Sequence, residues 1–170
     1  MKLRFSQIQS KRVPPRLAKL GLATGILSAA VLISTLPAFA GLGEPASSVQ
    51  ADQAHMQGTL KTTQTQSYTV HEIHAATGTV VREYVSTSGK VFAVAWLGPW
   101  PPDMRQILGA SFEQYHQAVQ AQTNARAGRR PLRIEQPGLV VHSGGHMRSF
   151  AGQAYIPGML PQGVSAEEIR

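Results

Sequence analysis

The sequence of 170 residues contains no cysteine. Disulfides, thiolate metal sites and cysteine nucleophiles are therefore excluded, and the fold has to be stabilised by a hydrophobic core. Acidic residues are also scarce, since only nine Asp and Glu occur. No glycine-rich phosphate-binding loop leads from a strand into a helix, and no G-x-S-x-G nucleophile elbow is present. These absences argue against nucleotide-dependent enzymes and serine hydrolases, and the sequence predicts no cofactor.

The first forty residues carry six cations and no acidic residue, followed by an apolar stretch from Leu20 to Leu36. Ala38 and Ala40 supply the small residues that a signal peptidase requires. This pattern is typical of a secretory signal peptide and predicts export with cleavage near Ala40. The alternative is an uncleaved anchor, which would make this segment the protein's membrane contact.

The basic charge of the precursor belongs largely to this segment. Residues 41–170 keep ten Lys and Arg against nine Asp and Glu, so the part beyond the signal is almost neutral. Nucleic-acid binding would require clustered cations in the folded part. Four arginines approach a cluster: Arg126, Arg129, Arg130 and Arg133. They are interpreted as solvent-exposed residues at a helix end and in the following loop, so no nucleic-acid partner is predicted.

Residues 41–66 are rich in Gly, Ala, Ser, Thr and Gln and lack a run of aromatic or β-branched residues. Such a composition buries too little surface to offset the entropy of ordering. The segment is predicted to be a flexible leader. The domain organisation is then a signal peptide (1–40), the leader (41–66) and one domain (67–170).

Short apolar runs separated by turn residues begin at Tyr68 and indicate strands. Gly78 and Gly89 supply the positive φ angle that tight turns need, so the neighbouring strands are expected to be antiparallel. The runs are 68–75, 79–86 and 91–97. The third run is apolar on both alternating faces, which predicts a strand covered on both sides.

The proline-rich stretch from Gly98 to Pro102 ends this sheet run, and Asp103 stands where a helix N-cap belongs. One amphipathic helix is predicted to follow and to stop at Gly128 and Pro131. Its apolar stripe consists of Met104, Ile107, Leu108, Phe112, Tyr115 and Val119.

Further strands are predicted at 132–135, 139–142 and 146–156, with a tight turn at Gly144-Gly145. Ser165 and Glu168 have the spacing of a capping box. The order of strands, helix and further strands predicts an α+β fold, in which the helix lies on one face of an antiparallel sheet.

Four histidines are candidate metal ligands: His71, His74, His142 and His146. A two-residue turn at Gly144-Gly145 would point His142 and His146 to opposite faces, and residues three apart on a strand, as His71 and His74 are, also diverge. Neither pair is therefore predicted to share a metal, although a composite site from two hairpins stays open. Trp100, flanked by prolines on a loop, is a candidate contact residue.

Three segments together resemble a known family: 79–85, 91–99 and 139–152, the last with the string His-Ser-Gly-Gly-His-Met-Arg. In this order, behind a signal peptide, they resemble the exported bacterial family called domain of unknown function 2844, over residues 68–170. The resemblance implies no activity and assigns no site residue. It supports a Gram-negative, exported context and hence periplasmic localisation.

Two hypotheses follow. The first is an exported, non-enzymatic accessory or binding domain that contacts another periplasmic or envelope protein through its sheet or the Trp100 loop. The second is a metal- or ligand-binding site, or a catalytic one, around His142, Ser143, His146 and Arg148.

Overall fold

The computed structural model describes residues 41–125 and 131–170, in which seven strands form one antiparallel sheet. Their order across the sheet is β1-β2-β3-β4-β7-β6-β5, so β4 pairs with the last strand of the chain. The predicted α+β class is confirmed. The strands are β1 (Thr59–Gln64), β2 (Tyr68–His74), β3 (Val80–Ser86), β4 (Val91–Gly98), β5 (Leu132–Gln136), β6 (Leu139–His146) and β7 (Ser149–Tyr155).

The strands β2, β3 and β4 form the predicted meander, with turns at Gly78 and Gly89, whose φ angles are 86° and 77°. The first six residues of β4 are buried, as expected for a strand covered on both sides, while Leu97 is 53% exposed. The sequence therefore predicts this half of the sheet correctly.

Three helices pack on one face of the sheet, here called the helix face: α1 (Val49–His55), α2 (Met104–Leu108) and α3 (Phe112–Ala125). Asp103 caps α2 as predicted, because its Oδ1 accepts the amides of Arg105 at 2.9 Å and Gln106 at 3.4 Å. The prediction of one continuous helix is wrong. Gly109 adopts a φ of 49° and opens a 3-10 turn (Gly109–Ser111) that separates α2 from α3.

The prediction of a flexible leader over residues 41–66 is also wrong. Leu42 and Val49 are completely buried on the helix face, and β1 forms an edge of the sheet by pairing with β2. Composition alone cannot reveal that this segment is ordered. The order comes from the burial of two apolar side chains and from the pairing of β1 with the edge of β2. Residues 1–40, which hold the predicted signal peptide, and residues 126–130, which hold Arg126, Gly128, Arg129 and Arg130, lie outside the described residues.

The predicted turn at Gly144-Gly145 is wrong as well. Both glycines belong to β6, and the turn to β7 is made by Met147 and Arg148, with His146 paired to Ser149. Arg148 takes the left-handed φ of 61° in this turn. Gly145 is required for another reason: a Cβ at this position would collide with the Ser149 carbonyl.

The opposite face of the sheet, here called the tail face, is partly covered by residues 157–170. The ring centroids of Tyr68, Tyr84 and Phe92 lie 5.8 to 6.1 Å apart there, and Ile169 is buried against this cluster. Tyr84 Oη donates to the Arg170 carbonyl at 2.8 Å, and the predicted capping box of Ser165 and Glu168 is present. No helix within the described ranges has the length and apolar content needed to span a bilayer.

Candidate functional site

A row of five residues, four of them polar, crosses the tail face perpendicular to the strands. Each member of the row pairs with the next one on the neighbouring strand. The order is Arg82 on β3, Ala95 on β4, Gln153 on β7, His142 on β6 and Arg133 on β5. The row spans β3, β4, β7, β6 and β5. Since neighbouring strands lie about 4.8 Å apart, the Cα atoms of its two arginines are separated by about 19 Å.

The row borders an open groove of about 480 Å³. A parallel row of Leu97, Ala151 and Gly144 lies beside it, and the small residues Ala151 and Gly144 leave the sheet surface accessible. Arg82, Arg133, His142 and Arg170 contribute basic side chains to the lining, and no Asp or Glu side chain belongs to it among the described residues. We refer to this surface as the groove.

Two carboxylates hold the basic side chains in place from outside the lining. Arg82 Nε donates to Glu72 Oε2 at 2.6 Å, and His74 Nε2 lies 2.8 Å from Glu72 Oε1. The Arg82 hydrogen bond, assisted by that of His74, lowers the pKa of Glu72. At the other end, Glu135 Oε1 lies 3.2 Å from His142 Nε2 and 3.8 Å from an Arg133 nitrogen.

The residues proposed from the sequence are only partly brought together. His142 and Ser143 line the groove, whereas His146 and Arg148 lie at the β6–β7 turn and Trp100 lies on the loop after β4. The Trp100 side chain is 58% exposed. Its backbone is fixed, because Thr79 Oγ1 donates to the Trp100 carbonyl at 2.7 Å.

The histidines do not converge. His142 and His146 point to the same face of β6, contrary to the prediction, but residues four apart on a strand are separated by about 13 Å. His71 and His74 point to opposite faces as predicted: His71 Nδ1 lies 3.0 Å from Thr62 Oγ1, and His74 contacts Glu72. Three strands separate β2 from β6, and no group of three potential ligands that could hold a metal occurs among the described residues.

A second polar site lies on the helix face and was not predicted. The carboxyl groups of Asp52 on α1 and Glu83 on β3 interact with each other in the interior, and both residues are almost completely buried. Gln106 on α2 donates its Nε2 to Asp52 Oδ1 at 2.5 Å. We call Asp52 and Glu83 the carboxyl pair. The sequence analysis assigned Asp52 to the leader and found no partner for Glu83.

Two carboxylates this close cannot both be ionised at neutral pH. Burial, followed by the hydrogen bond and the charge of Asp52, raises the pKa of Glu83 to about 9. Burial also raises the pKa of Asp52, but the hydrogen bonds from Glu83 and Gln106 oppose this shift. At neutral pH the pair therefore retains one proton, which the two carboxyl groups share. Apart from this contact, both Glu83 oxygens and Asp52 Oδ2 have no hydrogen-bond partner among the described residues.

The fold and the groove define an α+β domain with one antiparallel sheet, a helical layer on one face and a half-open second face. The chain matches the model of a family described as "Protein of unknown function (DUF2844)" over residues 38–169, and it belongs to that family. The resemblance noted from the sequence is thus confirmed. Comparisons with curated proteins and with solved structures gave no match.

Proposed function

We propose that the protein is an exported, non-enzymatic binding domain whose groove takes an extended acidic segment of a partner protein. The observation that carries this proposal is the row from Arg82 to Arg133, which places hydrogen-bond donors on four strands along one line.

The length of the row suits a peptide rather than a small molecule. An extended chain advances about 3.3 Å per residue, so about six residues would cover the roughly 19 Å between the two arginines. Guanidinium and imidazolium groups bind carboxylates through charge-assisted hydrogen bonds. The exposed side of Leu97 offers an apolar contact beside the row.

The arrangement of the groove supports a binding role more than a catalytic one. General acid–base and nucleophilic catalysis require groups that converge on one reacting atom. The groove distributes its polar groups along a line instead. The carboxyl pair does converge, but it lies in the interior, beyond the reach of a bound substrate.

Export is supported by the signal-like first forty residues. Fractionation of Gram-negative cells that express the full chain tests this part. We expect a periplasmic product with the mass of residues 41–170, and retention of the full-length chain in the cytoplasm would contradict it.

The binding role is tested by fluorescence anisotropy with a labelled hexaglutamate peptide, and with hexalysine as the control peptide. We expect binding of hexaglutamate that weakens with salt. Arg133→Gln should reduce the affinity several-fold, because the Arg133 side chain is 70% exposed and available to a ligand.

Arg148→Gln is the matched control, since Arg148 lies at the β6–β7 turn and outside the groove lining. Equal affinities of the two variants would contradict the assignment of the groove. Absence of hexaglutamate binding at low salt would contradict the acidic class of ligand.

A further inference from the structure

The carboxyl pair connects the helix α1 with the strand β3, and no other polar contact joins these two elements directly among the described residues. Main-chain hydrogen bonds from Ala46 to Gly89 and from Ala76 to Met56 hold the chain on either side of α1. Asp52 belongs to the N-terminal helix α1, and Glu83 to the central strand β3. Around them the helix face is apolar, with Val49, Val81 and Val94 all completely buried. A charge that appears here has no water to stabilise it, so the contact depends on one proton being present.

We infer that the carboxyl pair is a proton-operated latch that holds α1 against the sheet. With one proton between them, the two carboxyl groups attract each other through a hydrogen bond. When this proton is lost, two negative charges face each other in an apolar environment. The protein then relieves the repulsion by releasing α1, the smaller of the two packed parts.

The other charged groups near the pair are few. His55 lies on α1 and interacts electrostatically with Asp52. His71 is paired with Glu83 across β2 and β3, and burial lowers its pKa. On β4 the residue opposite Glu83 is Val94, and on α2 the contact is the neutral amide of Gln106. The lowered pKa of His71 keeps its ring uncharged above pH 7, so the alkaline behaviour of the latch belongs to the carboxyl pair.

The absence of cysteine in the chain makes the latch measurable. Val49→Cys places a single thiol in the interface between α1 and the sheet, and Val141→Cys places one in the core at β6. Both valines are completely buried, so labelling of either thiol requires opening of the structure. The labelling rate of each cysteine variant is measured between pH 7 and pH 9, once with the native Glu83 and once with Glu83→Gln. The rate with Glu83 is divided by the rate with Glu83→Gln, so that the effect of thiol ionisation cancels.

We expect the ratio for Val49→Cys to rise about tenfold per pH unit, because each unit above the ordinary pKa of a carboxyl favours the open, ionised form by that factor. The ratio for Val141→Cys should stay constant. If Glu83→Gln alone impairs folding, the double variant Asp52→Asn/Glu83→Gln, in which both carboxyl groups are replaced by neutral amides, serves as the reference for the same rate ratio. A constant ratio for Val49→Cys would overturn the inference, and so would an equal rise at both positions, which would mean opening of the whole domain.

Discussion

Gln106 and Asp52 are joined by a buried hydrogen bond of 2.5 Å, in which the amide Nε2 of α2 donates to the carboxylate of α1. This contact fixes two helices to each other beside the sheet. It also stabilises the negative charge of Asp52, as does the interaction with Glu83.

Replacing this amide with an apolar side chain is expected to destabilise the protein. Gln106→Leu leaves the Asp52 carboxylate with one donor fewer in a buried environment, which costs about 1 to 3 kcal/mol of unfolding free energy. Urea unfolding measures the change. Gln117→Leu is the control, because Gln117 donates to Glu113 on the exposed side of α3 and its loss should cost less than about 0.5 kcal/mol. Equal effects would show that the buried hydrogen bond contributes nothing.

The pH dependence of stability should carry the signature of Glu83. Its pKa rises from 4.5 to about 9 on folding, so the folded state holds a proton that the unfolded state has lost. Stability from this group is complete below pH 4.5 and decreases by about 1.4 kcal/mol per pH unit until about pH 9.

Glu83→Gln should flatten this slope between pH 7 and pH 9, as measured by urea unfolding at several pH values. A variant of His71 separates the contribution of this histidine to the pH dependence of the unfolding free energy from that of Glu83. Burial lowers the pKa of His71, so its effect has the opposite sign and is confined to the acidic side of its ordinary value of 6.5. A His71→Gln variant should therefore keep the alkaline slope of the wild type, and its disappearance would contradict the assignment to Glu83.

The first residues of the described chain are expected to stabilise the whole domain. Leu42→Ala removes a completely buried side chain and should lower the free energy of unfolding by about 2 to 5 kcal/mol. The same substitution at Leu97, which is 53% exposed, should cost less than about 1 kcal/mol. Thermal or urea unfolding of the two variants gives the comparison. A negligible effect at Leu42 would restore the interpretation of residues 41–66 as a dispensable leader.

Gly152 is expected to tolerate no side chain. The indole of Trp96, its partner across β4 and β7, lies where a Cβ of residue 152 would stand. Gly152→Ala should therefore displace the indole and cost about 1 to 3 kcal/mol through overpacking. Urea unfolding and tryptophan fluorescence detect the two effects. Gly158→Ala is the control because the corresponding Cβ meets no atom within 4 Å.

The sequence was sufficient to predict the strands β2 to β4 and the cap at Asp103, because these depend on local alternation and on turn residues. The second hairpin was misplaced for an instructive reason. A Gly-Gly pair normally marks a two-residue turn, but here Arg148 takes the left-handed conformation, and Gly145 serves the close approach to Ser149 instead. Local propensity alone could not choose between the two positions.

The candidate sites could not be predicted from spacing along the chain. The row from Arg82 to Arg133 exists only because β4 pairs with β7, which places residues of two separate hairpins side by side. The carboxyl pair depends on the packing of α1 across β3. A buried Glu in an otherwise apolar strand was the available signal, since Glu83 lies between Val81 and Val85 on the helix face.

The pairing of β4 with β7 also determines when the sheet can be completed. The most deeply buried strand has its second neighbour at residues 149–155, so this apolar strand stays without that neighbour until residue 155 is available for pairing. Contacts between such distant residues form slowly. Under the proposed export, the native sheet could close only after residue 155 had emerged, and the chain would need protection from aggregation until then.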